Sequence, residues 1–183
     1  MKVQVVVLNG GSCSGKSSLA TCLQDQLAGT WLTLGVDDLI RALSHGPNDT
    51  AAGGTLQFEP GGSIIVSEHF RKASEAWNQG VAAIASAGMG VIVDHVFLDS
   101  GNSQARLHDA LGGLAVIWVG VRCDPDVAEA RELQRPDRFR GIARDQAERV
   151  HDGVYYDIVV DTTTTSSPDC ASKITERIAD GRP

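Results

Sequence analysis

The chain has 183 residues, 42% hydrophobic and 21% charged. These values exclude disorder, collagen and coiled coil for the whole, and they suit one domain, 1–183, whose core needs no disulfide or metal. Sixteen Lys and Arg face 23 Asp and Glu, a net charge of −7, which excludes a generally basic surface for nucleic acid or anionic membrane but not an anion held in one local basic pocket.

The elements follow in chain order. Val3 to Leu8 is a β-branched run ending at Asn9-Gly10-Gly11 and predicts a buried strand. Ser14 to Leu27 predicts a helix with Leu19, Ala20, Leu23 and Leu27 on one side. Trp31 to Val36 predicts a second strand, with Asp37 at its end, then a short helix from Leu39 to Leu43. His45 to Gly62 is rich in glycine and proline and predicts a loop. Phe70, Ala73, Trp77, Val81 and Ile84 recur at steps of three and four, which predicts a long amphipathic helix ending near Gly88. Val91 to Asp94 is the third strand, Ser103 to Leu111 a helix, and Leu114 to Val121 the fourth strand. Asp124-Pro125 is a cap followed by proline at the first helical position. That helix stops before Pro136, and a second piece runs from about Phe139 to Val150. Ile158 to Val160 is the fifth strand, and Ser167-Pro168 starts a last helix ending near Ala179. Continuously apolar strands alternating with helices predict an α/β fold with a parallel sheet covered on both faces.

Gly10-Gly11-Ser12-Cys13-Ser14-Gly15-Lys16-Ser17 matches G-x-x-x-x-G-K-[ST] between a predicted strand and a predicted helix, the context this phosphate-binding loop requires. Gly10 and Gly15 allow successive backbone N–H groups to face phosphate oxygens, and the helix N-terminus adds positive partial charge. The expected ATP site is Gly10, Gly11, Ser12, Cys13, Ser14, Gly15, Lys16, Ser17 and Ser18. Lys16 would reach the β- and γ-phosphates, and Ser17 would ligate Mg²⁺. Cys13 reads as a small residue where size matters, with a reactive thiolate as the alternative.

Asp94 at the end of its strand reads as the carboxylate that supports Mg²⁺, or else as a turn cap. His95 reads as a hydrogen-bonded structural histidine. Asp37, at the carboxyl end of a strand, reads as the base that accepts the acceptor's hydroxyl proton, with helix capping as the alternative. Arg135 and Arg138 flank Pro136-Asp137 and read as catalytic arginines of a lid spanning about 125–145. Arg131 and Arg144 read as members of a solvated helix face. The segment at about 41–70, with Leu56, Phe58, Ile64 and Ile65 among glycines, reads as an acceptor-binding insertion for a partly apolar molecule, or as a packed surface loop. No Asn-Lys-x-Asp guanine-reading motif follows the fourth strand.

Leu8 to Ser17, Trp31, Gly35-Val36-Asp37 with Leu39-Ile40, Phe70-Arg71, Trp77 and Val96-Phe97-Leu98 together resemble the chloramphenicol phosphotransferase family. So do Trp118-Val119-Gly120-Val121-Arg122-Cys123-Asp124, Val150-His151-x-Gly153-Val154-x-Tyr156-Asp157 and Val160-Asp161-Thr162-Thr163. The resemblance implies a P-loop kinase that uses ATP and Mg²⁺ to phosphorylate the primary 3-hydroxyl of chloramphenicol, an antibiotic-resistance activity. It puts the catalytic aspartate on Asp37, the loop lysine and serine on Lys16 and Ser17, the lid arginines on Arg135 and Arg138, and Asp161 to Thr163 near the adenine. The sequence departs from the family at His95, where a second acidic residue is expected, and across Ser44 to Glu59.

The resulting expectation is a P-loop kinase-like three-layer sandwich whose five parallel strands lie in the order 2-3-1-4-5. Its partner is a small chloramphenicol-like hydroxyl acceptor, with no nucleic acid and no membrane; a homo-oligomer is compatible with the chain. The rival readings are a kinase of another small hydroxyl metabolite and a nucleotide-binding regulator without transferase activity. Cys13, Cys22, Cys123 and Cys170 show no metal-ligand spacing, and no signal-peptide pattern or apolar run of ~18 residues occurs, so a reduced, cytoplasmic chain is expected.

Overall fold

Residues 3–43, 56–58, 64–135 and 140–181 are described by a computed structural model. Strands β1 (Val5–Asn9), β2 (Trp31–Gly35), β5 (Gly90–His95), β6 (Val116–Arg122) and β7 (Ile158–Asp161) form one parallel sheet in the order β2-β5-β1-β6-β7. This is the expected order of the five core strands. The numbers shift because two three-residue strands, β3 (Leu56–Phe58) inside the expected loop and β4 (Ile64–Val66) just beyond it, pair antiparallel.

The run at β1 is continuous rather than alternating because both faces of the strand are covered. Val6 and Leu8 pack with Leu19 and Leu23 of α1 (Lys16–Gln26) and with Cys170, Ala171 and Ile174 of α7 (Ser167–Ala179). Val5 and Val7 pack on the other face with Val81 and Ala85 of α3 (Glu68–Ser86) and with Leu107 and Leu111 of α4 (Ser100–Leu111). All four β1 residues are fully buried, and each such Val or Leu contributes roughly 1.5–3 kcal/mol. The result is three layers with β1 at the centre, its carboxyl end opening into the phosphate loop.

Helices α2 (Val36–Ala42), α5 (Pro125–Leu133) and α6 (Ile142–Arg149) lie at that carboxyl edge. Asp124 caps α5 as expected, accepting from Asp126 N at 2.9 Å. Three boundaries differ from expectation. Asp37 is helical, because Asp38 Oδ2 turns back to accept from Gly35 N at 2.7 Å and ends β2 there. Helix α4 begins at Ser100. The cap of α7 is Ser166 rather than Ser167, its hydroxyl accepting from Asp169 N.

Asn9, almost wholly buried, pins the end of β1. Its Nδ2 donates to Val150 O at 2.8 Å and to the Tyr156 hydroxyl at 2.7 Å, and its Oδ1 accepts from Phe97 N at 2.9 Å. Because Asn9 donates to that hydroxyl, the tyrosine proton is assigned to His151 Nδ1, 2.6 Å away. Burial, then the positive charges of Arg122 and Lys16, lowers the His151 pKa to about 4, and burial pushes Tyr156 up to about 12. The folded state therefore refuses a proton that the unfolded chain takes up as pH falls from 6.5 towards 4. Stability is expected to drop by something on the order of 3 kcal/mol across that window through His151. Urea unfolding at stepped pH would show the parent gaining on a His151→Gln variant as pH rises from 4 to 6.5; a constant difference would refute this.

Candidate active site

The phosphate loop lies between β1 and α1, as its motif requires. Gly10 is demanded by space: a Cβ there would stand 2.4 Å from Val121 O. Gly15 is demanded by conformation, with φ at +87° as it leads into α1. Cys13 shares the left-handed region at φ +58°. Lys16 is buried, and its Nζ donates to Gly11 O at 2.7 Å across the loop. Ser14 is also buried, and its backbone carbonyl accepts from Thr162 Oγ1 at 2.7 Å.

A cavity of about 660 Å³ opens beside the loop. Lys16, Ser17, Asp37, Asp94 and Arg135 all line it, so most of the sequence-predicted chemistry converges there. Ser12, Cys13, Gly15 and Ser18 line it too, whereas Gly10, Gly11 and Ser14 are buried and do not. The Ser17 hydroxyl donates to Asp94 Oδ2 at 2.7 Å. A hydroxyl beside a carboxylate is a pair of hard oxygen donors that fits Mg²⁺, which keeps waters and takes phosphate oxygens for its other positions. No group of three or more His, Cys, Asp or Glu able to hold a metal occurs among the described residues. Ile40, Ile64, Phe70, Val96 and Leu98 supply an apolar wall. Arg138 lies outside the described residues, as does most of the expected acceptor segment. His95 Nδ1 donates to Val96 O at 3.0 Å, and burial lowers its pKa.

Arg131 is not part of a solvated face. Its Nη2 donates to Thr162 O at 2.8 Å and its Nη1 to Cys13 O at 3.4 Å, tying α5 to the phosphate loop. Arg144 does lie on the surface, paired with Asp126 and Glu129. Two further residues belong to this framework. Glu132 is buried and accepts from Gly141 N at 2.7 Å and Ala143 N at 2.8 Å, so it caps α6 from α5. Gln146, buried on α6, accepts from Ser12 N at 2.9 Å. The signal for Gln146 was a polar residue on a stripe otherwise made of Ile142, Ala143, Ala147 and Val150. A further cavity of about 500 Å³ adjoins the first at the loop, lined by Gly15, Arg131, Gln134, Thr162 and Ser166 among others.

A family model described as chloramphenicol phosphotransferase-like protein matches residues 3–179. A Mycobacterium tuberculosis protein provisionally named O-phosphotransferase, recorded in strains CDC 1551 / Oshkosh and ATCC 25618 / H37Rv, is 32% identical over 192 residues, covering 94% of this chain and 81% of the relative. Among solved structures, a sugar kinase from Janibacter sp. superposes with a TM-score of 0.66 at 17% identity, covering 97% of this chain and 95% of that one. A tunicamycin resistance protein from Deinococcus radiodurans gives 0.67 at 16% identity, covering 96% and 95%. A gluconokinase from Sinorhizobium meliloti gives 0.65 at 17%, covering 98% and 93%. At such identities these likenesses carry the fold, that of P-loop kinases.

Proposed function

The chain belongs to the chloramphenicol phosphotransferase-like family, an ATP-dependent small-molecule kinase by class, and from that premise we propose that it transfers the γ-phosphate of ATP to a hydroxyl of a small, partly apolar antibiotic, chloramphenicol or an analogue. The observation that carries this reading is the convergence of Lys16, the Ser17–Asp94 pair, Asp37 and Arg135 on one cavity with an apolar wall.

The acceptor's hydroxyl would sit near Asp37, whose carboxylate takes the hydroxyl proton as the oxygen attacks the γ-phosphorus and ADP departs. Lys16 and the loop N–H groups hold the β- and γ-phosphates, and Arg135 offsets charge that develops during transfer. Ser17 and Asp94 would hold Mg²⁺, whose charge would help neutralise the phosphates. The cavity bounded by Arg131, Gln134 and Thr162 suits the nucleoside end of ATP. The five apolar side chains of the wall suit an aromatic body better than a bare sugar. ATP dependence and the four free cysteines favour a cytoplasmic setting; among the described residues no helix is long and apolar enough to cross a membrane.

A second reading is a kinase of another hydroxyl metabolite carrying an anionic group, favoured by Arg41 beside Asp37 on the same cavity. Coupled ADP release with chloramphenicol against sugars, shikimate and nucleosides decides between them. Turnover with chloramphenicol is expected; silence with it and turnover with an anionic alcohol would transfer the assignment to the second reading.

A further inference from the structure

We propose that Gln146 is a positioning residue for Lys16, acting through the single peptide unit between Gly11 and Ser12. That unit is held at both ends. Its carbonyl accepts from Lys16 Nζ at 2.7 Å, and also from Ser14 N at 3.3 Å. Its N–H donates to Gln146 Oε1 at 2.9 Å, from a side chain 134 positions away and only 2% exposed. A peptide unit is a rigid plane with its N–H and C=O pointing in opposite directions. Fixing the N–H therefore aims the carbonyl at the lysine, and Gln146 sets where the ammonium docks without touching it.

Two further features fit this role. The backbone of α6 lies against the loop: a Cβ on Gly11 would stand 3.1 Å from Gln146 C and Cβ, and 3.2 Å from Ala147 N. Glycine at 11 is what lets the amide reach Ser12 N. Ile142, Ala143, Ala147 and Val150, the other members of the buried stripe of α6, are all apolar. Packing alone would be met by methionine at 146; a loop N–H that lacks a partner would not. Removing the acceptor frees the plane to turn, and Gly11 O then leaves Lys16. The consequence falls on the transfer step, where Lys16 counters charge at the γ-phosphate, more than on nucleotide binding.

This inference rests on the kinase reading for its kinetic arm, so the test includes a readout that needs no activity. In the full chain without nucleotide, the Ser12 amide is expected to be protected from hydrogen exchange. Gln146→Met, close in volume but without the acceptor, is expected to speed that exchange and to lower kcat for ATP turnover, by transfer or by hydrolysis to water, about tenfold, with KM for ATP within about threefold. Gln146→Glu keeps an acceptor and is expected to restore Ser12 protection and most of kcat. Gln146→Ala carries the same expectation as the methionine variant and serves if the latter fails to fold. In a Lys16→Ala background, followed by single turnover of labelled ATP, adding Gln146→Met is expected to change the rate by less than about twofold, because the residue it acts through is gone. An unprotected Ser12 amide in the parent, an unchanged kcat in Gln146→Met, or a full additional loss in the Lys16→Ala background would each overturn the inference while leaving the kinase reading in place. A parent that neither binds nor turns over ATP would overturn the kinase reading, and this inference with it.

Discussion

An Asp37→Asn enzyme is expected to bind ATP as the parent does and to transfer phosphate about 10²–10⁴-fold more slowly, the usual range for losing a positioned general base. Asparagine keeps the shape of the side chain and loses its capacity to take a proton. Asp37 stands in the first turn of α2, exposed to the cavity that Lys16 and Arg135 also line. The capping work on α2 is done by its neighbour: Asp38 holds Gly35 N and pairs with Arg41. Capping thus rests on Asp38, and substitution at 37 should leave the helix standing. Calorimetric ATP binding together with ADP release in the presence of acceptor tests this. A transfer rate near that of the parent would remove Asp37 from the chemistry.

Lys16→Ala is expected to lower turnover by about 10²–10³-fold, the scale seen when one preorganised donor to developing charge is removed. It should also weaken binding of ATP more than of AMP, because under the proposed function the lysine would reach the distal phosphates. The lysine is buried and docked on Gly11 O, so its loss also leaves that carbonyl with only the longer contact from Ser14 N. Titrating both nucleotides against parent and variant separates the two effects; unchanged turnover would remove the loop from the reaction.

The central strand, the loop and the layer arrangement were legible because their signals are local. Val5 to Leu8 declares burial on both faces, and the loop motif is complete within eight residues. The convergence of Ser17, Asp37 and Asp94 followed from one topological rule, that ligands gather at the carboxyl edge of a parallel sheet. Asp37 sits one boundary beyond the strand end, since Gly35-Val36-Asp37 continues a strand pattern until the Asp38 carboxylate turns it. The strands β3 and β4 are three residues each, too short for alternation to register. Arg131 and Gln146 are harder to read for a different reason: each reaches a loop partner 118 or 134 positions away, so the sequence can at most show Gln146 as an odd polar residue on an apolar stripe and cannot say what either residue holds. Glu132 reads as one more helix-surface acid until the N-terminus of α6 is seen to rest on it.

Those long separations bear on how the protein comes off the ribosome. The phosphate loop is complete by residue 17, yet its braces are Arg131, Gln146 and Thr162, the last bonded to Ser14 O from 148 positions on. A nascent chain that ends before Arg131 carries the whole motif and none of these braces. Domains emerge N-terminal end first, and distant contacts form late. The loop therefore gains its full set of braces only after Thr162 has been made, and ATP would favour folding only from then on.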